Sequence, residues 1–386
     1  MSLSGNWNYP TPIKFGAGRV KELPEHCRAN GITRPLLVTD AGLATAPITT
    51  SALQSLQAAG LAAALFANIR PNPVQANLDE GLVAYRAGQH DGVVAFGGGS
   101  GLDMGKLIAF MSGQTRPVWD FEDIGDWWTR ADADGIAPIV AVPTTAGTGS
   151  EVGRAGVLTD ERTHTKRIIF HPKMMPRVVI CDPELSVGMP AKITAGTGMD
   201  AFSHCLEAYC APGFHPMADG IAVEGMRLIA GALPRVMRDP KDLEARGEMM
   251  AAAAMGATAF QKGLGGMHAL AHPIGALHDT HHGMTNATLM PYVLQFNRSA
   301  IAERLARLAA YLGLETPDFD GFLHFVLQLR REVGVPHTLP ELGVDDRHAA
   351  LIARMAVSDP SAGGNPIPLR EADTAAIFTA ASRGTL

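Results

Sequence analysis

VVAFGGGSGLDMGKL (residues 93–107) joins a run typical of a buried strand to a helical pattern through a loop that contains four glycines. Glycine lets the backbone turn tightly and approach a phosphate closely, and the first amides of the following helix can donate to that phosphate. The loop is not a GxxxxGK[ST] motif, because Ser100 stands where glycine is required and Leu107 where a hydroxyl is required. A glycine-rich turn without a ligand is the alternative, and we favour phosphate binding because of the strand–loop–helix context.

The sequence around this loop alternates between apolar runs and amphipathic stretches. Four β-branched runs end in Gly, Asp or Pro, at residues 34–40, 91–99, 136–145 and 176–183. Stretches with helical spacing of apolar residues lie between them, at residues 20–31, 51–66 and 78–90. Strands of this kind are typical of parallel sheets that are buried on both faces. We therefore predict a doubly wound α/β domain over residues 1–186 that binds a dinucleotide.

The strand pattern stops near residue 186. The remaining sequence is rich in Ala, Leu and Met at helical spacing, over residues 199–210, 218–237, 247–260, 301–312, 321–334 and 348–357. This pattern predicts an all-helical second domain over residues 187–386.

Composition excludes several classes of protein. The chain has 386 residues, 46% of them hydrophobic and 18% charged, which indicates a well-cored globular protein. A net charge of −6 argues against binding to nucleic acid. No apolar run of membrane-spanning length occurs, and the N-terminal residues lack the pattern of a signal peptide. Four cysteines without a CxxC pair predict free thiols in a reducing cytoplasm and exclude a thiolate-rich metal site.

A second loop, VPTTAGTGSE (142–151), also follows an apolar run and carries two glycines and four hydroxyl side chains. Loops at the carboxyl ends of parallel strands converge where open sheets bind ligands. Asp40 ends another apolar run, where a carboxylate can bind a ribose and would repel a 2′-phosphate, which favours NAD over NADP. A turn-forming aspartate is the alternative. Lys106 and Lys166 are further candidate ligands for phosphate or ribose.

The order of these features differs from the usual Rossmann fingerprint, in which the acidic residue follows the glycines by about twenty positions. Here Asp40 precedes the glycines by nearly sixty positions. The sequence therefore indicates a different dinucleotide fold or a different use of the sheet.

The second half contains residues suited to a metal site. GMDAFSHCLEAY (198–209) places Asp200 and His204 four residues apart on a predicted helix, where they share one face. An ordinary ion pair is the alternative for this pair. GGMHALAHPIGALHDTHHGMTNA (265–287) adds five histidines, and Pro273, Gly275 and Gly283 argue against one unbroken helix there.

Spacing alone does not choose the ligands among these histidines. His268 competes with His272, and His281 competes with His282. An aspartate with several histidines and no thiolate suits Fe²⁺ or Zn²⁺ better than Mg²⁺ or Ca²⁺.

Taken together, the motifs resemble those of the iron-dependent (group III) alcohol dehydrogenase family over nearly the whole chain. The matching segments are GGGSGLDMGK, PTTAGTGSE, DPEL, GMDAFSHCLEAY and HALAHPIG followed by HGMTNA. The resemblance implies an N-terminal α/β dinucleotide-binding domain with a parallel sheet and an all-α C-terminal metal-binding domain, the architecture shared with dehydroquinate synthase.

The resemblance also implies roles for individual residues. The implied metal ligands are Asp200, His204, His268 and His282. The implied contacts to NAD(P) are Asp40, Asn72, Gly98, Gly99, Ser100, Asp103, Thr144, Thr145 and Lys166. His272 is implied to lie near the nicotinamide without binding metal, and we predict that it relays the proton; a structural histidine is the alternative. His278 and His281 stand where many relatives have an aromatic residue and a proline, so His281 could compete for the metal and His278 could reshape the substrate pocket.

The function that follows is reversible oxidation of a small alcohol to its aldehyde or ketone, with NAD as cofactor and Fe²⁺, or Zn²⁺, as metal. A maleylacetate reductase or hydroxy-acid dehydrogenase on the same fold remains an alternative, as does a lyase like dehydroquinate synthase. A non-redox metal hydrolase would leave both glycine loops and Asp40 without a role. A binding or regulatory protein that retains NAD but not turnover would be expected to lack a metal ligand, and none of the four is missing. By analogy with the family we expect a homodimer or higher homo-oligomer, paired through residues 8–16.

Overall fold

The computed structural model describes residues 5–7, 11–163 and 165–386 of the chain. Two units make up the chain, residues 1–188 and residues 189–386. Residues 8–10, which belong to the segment predicted to pair across a dimer, lie outside the described residues.

A seven-stranded sheet forms the centre of the first unit. The strands are β1 Gly5–Trp7, β2 Ile13–Phe15, β3 Pro35–Val38, β4 Ala64–Phe66, β5 Gly92–Gly97, β6 Ile139–Pro143 and β9 Val178–Cys181. Their order in the sheet is β1-β2-β9-β6-β5-β3-β4, and every neighbouring pair is parallel except β1 with β2. β3, β5, β6 and β9 are buried along their whole length. The predicted parallel sheet is confirmed, and its four central strands lie in the four predicted runs.

Helices cover both faces of this sheet. They are α1 Leu23–Ala29, α2 Pro47–Ala58, α3 Gln75–Ala87 and α4 Gly99–Met111. Val94 and Phe96 of β5 lie in one buried cluster with Leu23 of α1 and Leu56 of α2. The alternate residue Ala95 faces α4, because a Cβ atom added to Gly105 would lie 2.5 Å from the Ala95 Cβ. Opposite faces of one strand therefore contact different helices, as a doubly wound sheet requires.

Two parts of the first unit differ from the predicted pattern. The helical prediction for residues 51–66 is wrong beyond Ala58, because Gly60 adopts a left-handed φ of +81° and residues 64–66 form β4 beside β3. An antiparallel hairpin, β7 Ala155–Asp160 and β8 Thr165–Phe170, was not predicted at all. Residues of β7 alternate between buried and half-buried positions, the pattern of a sheet with one covered face.

The second unit is helical throughout residues 189–386, all of which the structure describes. Its helices are α5 Ala191–Cys210, α6 Pro216–Arg238, α7 Leu243–Ala259, α8 Gly266–His278, α9 His282–Tyr311, α10 Phe319–Glu332, α11 Ala349–Ser358 and α12 Glu371–Arg383. The histidine-rich segment breaks between α8 and α9, where Asp279 has a left-handed φ of 52°. The expected interruption is thus present, although Pro273 itself lies within α8. Across the described residues, no helix combines the length and apolarity needed to cross a membrane.

Candidate active site

The glycine-rich loop lies at the carboxyl end of β5 and begins α4. Gly98 is the N-cap residue of α4, and Gly99 and Ser100 are its first two residues. A Cβ atom at Gly101 would lie 2.8 Å from the backbone oxygen of Phe96, so only glycine allows this turn of helix to approach the strand so closely. The loop therefore presents backbone amides at a helix start, the arrangement that binds phosphate groups.

The second predicted loop packs directly against the first. The backbone N–H of Thr144 donates to the carbonyl of Gly97 over 2.9 Å. The Thr145 side chain lies 3.1 Å from a Cβ position at Gly98, and Thr148 lies 2.8 Å from one at Gly99. The two loops converge because β5 and β6 are neighbouring parallel strands.

Asp40 lies beside the same glycines in spite of its distance in sequence. β3, which precedes it, pairs with β5. One carboxylate oxygen of Asp40 lies 3.5 Å from a Cβ position at Gly97, and the other accepts the N–H of Leu43 over 3.2 Å. Asp40 therefore makes a turn-forming hydrogen bond and also lies next to the glycine-rich loop.

Asp103 and Lys106 connect the two loops from inside the unit. The Asp103 carboxylate accepts the Ser150 hydroxyl and the N–H of Val157, and it lies 3.2 Å from the Lys106 amino group. Lys106 is buried and also donates to the carbonyls of Ser150 and Ala155. Because its ammonium group already contacts oxygens of the protein, we assign Lys106 a structural role between the two loops instead of the phosphate contact considered above.

Asn72 and Lys166 are brought near each other by the hairpin. Asn72 has a left-handed φ of 53°, a conformation that non-glycine residues adopt rarely and that is enriched at functional sites. The carbonyl of the next residue, Pro73, accepts the N–H of Thr159 over 2.8 Å. Thr159 is the partner of Lys166 across the hairpin. The tertiary fold thus places both predicted cofactor contacts around one strand position.

In the second unit, three helices contribute to a buried cluster of metal-ligating side chains. Asp200 and His204 lie on α5 and His268 lies on α8, and one ligand atom from each falls within 4.8 Å of the others. His282, the first residue of α9, joins them, since its Nε2 lies 3.5 Å from Asp200 Oδ1. The rings of His204 and His268 stack with centroids 4.8 Å apart. Asp200 and His282, which are 82 positions apart in the sequence, thus lie in one cluster.

Close contact between α5 and α9 makes this convergence possible. A Cβ atom at Gly283 would lie 2.0 Å from the backbone oxygen of Gly196 and 2.9 Å from the Cβ of Asp200. Any larger residue at position 283 would force the helices apart. Glycine at this position therefore sets the spacing between Asp200 and His282.

Asn286 lies among the ligand atoms, one helical turn after His282. Its amide nitrogen lies 3.0 Å from Asp200 Oδ1 and 3.1 Å from the Nε2 atoms of His268 and His282. With two N–H bonds, the amide can donate to two of these three atoms at a time, and an atom that accepts presents a lone pair, the state in which carboxylate and imidazole bind metal. The amide oxygen of Asn286 is buried without a hydrogen-bond partner among the described residues.

The charge state of Asp200 suits the same role. Burial by itself would raise the pKa of the Asp200 carboxyl, but His204, His282, His268 and the Asn286 hydrogen bond hold that pKa well below its usual range. An ionised carboxylate with three imidazoles is a donor set that Fe²⁺ and Zn²⁺ accept. The residues present therefore fit a divalent transition metal.

Glu207 forms a hydrogen bond with His268 at Nδ1 and was not predicted as a functional residue. Its carboxylate accepts His268 Nδ1 over 2.6 Å, together with the N–H groups of Gly265 and Met267 at the start of α8. Hydrogen bonding at Nδ1 leaves Nε2 of His268 as the ligand atom. Glu207 lies seven residues after Asp200 and three after His204, so helical spacing on α5 was a signal that could have identified it.

His272 points to a different partner. Its Nδ1 lies 2.8 Å from Oδ2 of Asp359, a residue that sequence analysis did not select. The His272 ring stacks on that of His282 with centroids 5.4 Å apart. Because Asp359 is 87 positions from His272, no local pattern could have indicated this pair.

His281 and His278 have separate surroundings. His281 is the N-cap of α9, where its Nδ1 accepts the N–H of Met284 over 3.4 Å, and its ring packs against Gly196. Capping engages Nδ1 and gives a structural reason for a histidine at this position. His278 ends α8, and its ring contacts that of His348 with centroids 5.7 Å apart.

A glycine-loop α/β unit and a helical unit with an Asp–His₃ cluster define a class of metal-dependent oxidoreductase. The chain belongs to the iron-containing alcohol dehydrogenase family: the family model for iron-containing alcohol dehydrogenase matches residues 10–183, and that for the C-terminal part of the family matches residues 194–382. It is an enzyme of the alcohol dehydrogenase type.

Individual relatives match over almost their full length. The chain is 39% identical to 4-hydroxybutyrate dehydrogenase of Cupriavidus necator, covering 95% of this chain and 96% of that protein. It is 36% identical to 1,3-propanediol dehydrogenase of Klebsiella pneumoniae, covering 94% and 95%. A crystal structure of 1,3-propanediol oxidoreductase superposes with a TM-score of 0.91 at 36% identity, covering 99% of this chain and all of that one.

Proposed function

We propose that the protein interconverts a small alcohol and its aldehyde or ketone, with NAD and a divalent metal held by Asp200, His204, His268 and His282. The convergence of these four side chains, three of them buried and His282 half-buried, is the observation that carries the proposal. When bound, the metal would act as a Lewis acid on the substrate oxygen and NAD would accept the hydride. Fe²⁺ is the proposed metal, and Zn²⁺ is accepted by the same donors.

The first unit would hold the cofactor. Gly98, Gly99 and Ser100 would offer backbone amides to the pyrophosphate at the start of α4. The remaining proposed contacts are Asp40, Asn72, Asp103, Thr144, Thr145 and Lys166. Asp40 favours NAD, because its carboxylate beside the glycine loop would repel the 2′-phosphate of NADP.

Proton transfer is assigned to His272. One nitrogen of its ring is bonded to Asp359, and its side chain is 22% exposed, so the ring is both oriented and reachable. In alcohol oxidation the Nε2 atom would take the hydroxyl proton, and in aldehyde reduction it would return that proton.

Two substrate classes deserve direct comparison. Simple alcohols and diols are the first class, in line with the 1,3-propanediol dehydrogenase relative. Hydroxy acids are the second class, and the relative named 4-hydroxybutyrate dehydrogenase favours it as the alternative. A maleylacetate reductase, which would also act on a carboxylate substrate, is a separate alternative that the same assay tests.

Metal content and turnover together test the proposal. Elemental analysis of the purified protein identifies the metal, and nicotinamide absorbance is followed with NAD⁺ and 1,3-propanediol or 4-hydroxybutyrate, then with NADH and the aldehydes or maleylacetate. We expect Asp200→Ala and His268→Ala to lose metal, and His272→Ala to keep metal and lose rate. Absence of any nicotinamide turnover at full metal occupancy would refute the dehydrogenase function and leave a non-redox metal hydrolase as the better hypothesis. A His272→Ala protein without metal would show that the ligands are misassigned.

Location and assembly are proposals of the same kind. The four cysteines are free thiols, which supports a reducing cytoplasm as the working compartment. A homodimer or higher homo-oligomer is proposed by analogy with the family, and light scattering of the purified protein measures it directly.

A further inference from the structure

The carboxylate of Asp359 is fixed at both oxygens. Oδ2 lies 2.8 Å from His272 Nδ1, and Oδ1 accepts the backbone N–H of Ser361 over 2.8 Å at the start of a short 3₁₀ turn. The side chain is only 12% exposed. Its charge and orientation are therefore set by the fold, and one of its two acceptor atoms is directed at the imidazole.

The segment that carries Asp359 is anchored without this bond. The Asn365 side chain accepts the N–H of Gly266 over 3.0 Å and exchanges hydrogen bonds with Asn297 of α9. The backbone at Gly364 packs so closely that a Cβ atom there would lie 2.1 Å from the oxygen of Leu264. Four contacts thus tie the segment to α8, to Leu264 just before it and to α9, so the Asp359–His272 bond is not needed as a tether.

Hydrogen bonding also determines which nitrogen of His272 carries its proton. A carboxylate can only accept, so Nδ1 must be the protonated atom. Nε2 then carries the lone pair, and it has no hydrogen-bond partner among the described residues. The parallel stack on His282, with 10° between the ring planes, restrains the remaining rotation of the imidazole.

We propose that Asp359 is a positioning residue for catalysis, which holds His272 in the Nδ1–H tautomer so that Nε2 exchanges the proton with the substrate oxygen. This inference rests on the proposed function of His272. In oxidation the alcohol O–H bond breaks and its proton joins Nε2; NAD⁺, when bound, would accept the hydride that leaves with the electron pair of the carbinol C–H bond. The resulting imidazolium lies against the Asp359 carboxylate, which offsets its charge until the proton passes to solvent.

Asp359→Asn is the decisive variant, because it changes the chemistry of the contact and keeps its shape. The amide oxygen can still accept the N–H of Ser361, whereas the amide nitrogen then donates to Nδ1 and forces the opposite tautomer. We expect kcat to fall by about 10–100-fold while KM for the alcohol and metal content stay unchanged. Asp359→Glu, which restores an acceptor, should recover part of the rate.

NMR spectroscopy identifies the tautomer of His272 without a measurement of catalytic activity. In protein labelled with ¹⁵N-histidine and loaded with Zn²⁺, the His272 signals, assigned by their loss in His272→Gln, should show a protonated Nδ1 in wild type and a protonated Nε2 in Asp359→Asn. Asp318→Asn is the matched control, since Asp318 also caps a helix start through one oxygen but is exposed at α10. This control should leave rate and spectrum unchanged.

The outcomes separate this inference from the function on which it rests. A double variant, His272→Ala with Asp359→Asn, should be no slower than His272→Ala alone, because the two residues act through one proton path. An additive loss in the double variant, or an unchanged tautomer in Asp359→Asn, would overturn the role of Asp359. If His272→Ala itself retains full kcat, the proton relay is refuted first. A wild-type protein without any alcohol turnover would instead refute the dehydrogenase function.

Discussion

Replacement of Glu207 by glutamine should weaken metal binding without touching a metal ligand. Oε2 of Glu207 faces two donors, His268 Nδ1 at 2.6 Å and the N–H of Gly265 at 2.8 Å, and Oε1 faces the N–H of Met267 at 2.7 Å. Glutamine has one acceptor oxygen, so its NH₂ group must oppose at least one of these donors. The least costly orientation keeps the oxygen at His268 and leaves Met267 unpaired.

The magnitude follows from the loss of charge at His268. Hydrogen-bonded partners behind a metal-binding histidine typically contribute 10–100-fold to metal affinity, equivalent to about 1.4–2.7 kcal/mol. We expect Glu207→Gln to raise the metal dissociation constant within this range. Glu207→Ala is less informative, because it leaves three buried donors unpaired at about 1–3 kcal/mol each and threatens folding.

The assay is competition for Zn²⁺ or Co²⁺ between the apoprotein and a chelator of known affinity. Glu224→Gln is the matched control, since Glu224 pairs with Arg227 at the surface of α6 and should not affect binding. Thermal unfolding of the apoprotein measures the structural cost separately. If Glu207→Gln lowers stability but binds metal as tightly as wild type, Glu207 only caps α8 and the reasoning is refuted.

Three further predictions concern stability. Burial raises the pKa of Glu151 to about 7 from its ordinary 4.5, so the folded protein should lose roughly 3 kcal/mol of stability as pH rises from 4.5 through 7; Glu151→Gln should remove this loss in urea unfolding at pH 4.5 and 8. His281→Ala should cost about 0.5–2 kcal/mol by removing the cap of α9, with metal content unchanged. Gly283→Ala should yield little folded, metal-binding protein, because the new Cβ atom would meet the backbone oxygen of Gly196. Gly220→Ala is the control, since Gly220 lies in open space on α6. In thermal melts it should be neutral or stabilising by about 0.5–1 kcal/mol.

A specific result would contradict each of these three predictions. Equal pH dependence in wild type and Glu151→Gln would mean that the buried carboxyl does not hold a proton in the folded state. Loss of metal from His281→Ala would make His281 part of the metal site. A Gly283→Ala protein as stable as wild type would show that α5 and α9 are not in close contact there.

Local sequence pattern was sufficient to predict those strands and turns whose structure depends mainly on their own residues. The four buried runs of the first unit predict parallel strands because a continuous apolar stretch of that length has few other stable environments. The glycines after β5 mark a strand–helix junction because few other residues can turn and approach the strand in this way. The short strand Ala64–Phe66 escaped prediction because alanine-rich sequence fits a helix equally well, and pairing with β3 decides the outcome.

Spacing in the sequence did not select among the histidines; the family resemblance implied His268 and His282, and the tertiary structure shows where each ring lies. Spacing identified a candidate metal cluster but left His268 against His272, and His281 against His282, unresolved. The fold places His268 and His282 beside Asp200, directs His272 to Asp359, and uses His281 as a helix cap. Which imidazoles meet depends on how α5, α8 and α9 pack, and that information is not present in any single segment.

The sequence by itself thus determined the class of fold, the two glycine loops and the kinds of side chain available for chemistry, because these depend on periodicity and composition along the chain. Tertiary structure decided the partners: Asp40 with loop glycines nearly sixty positions away, Glu207 behind His268, and Asp359 behind His272. The physical reason is that a hydrogen bond or a metal ligand set is specific to within tenths of an ångström, whereas sequence pattern specifies only which face of an element is buried.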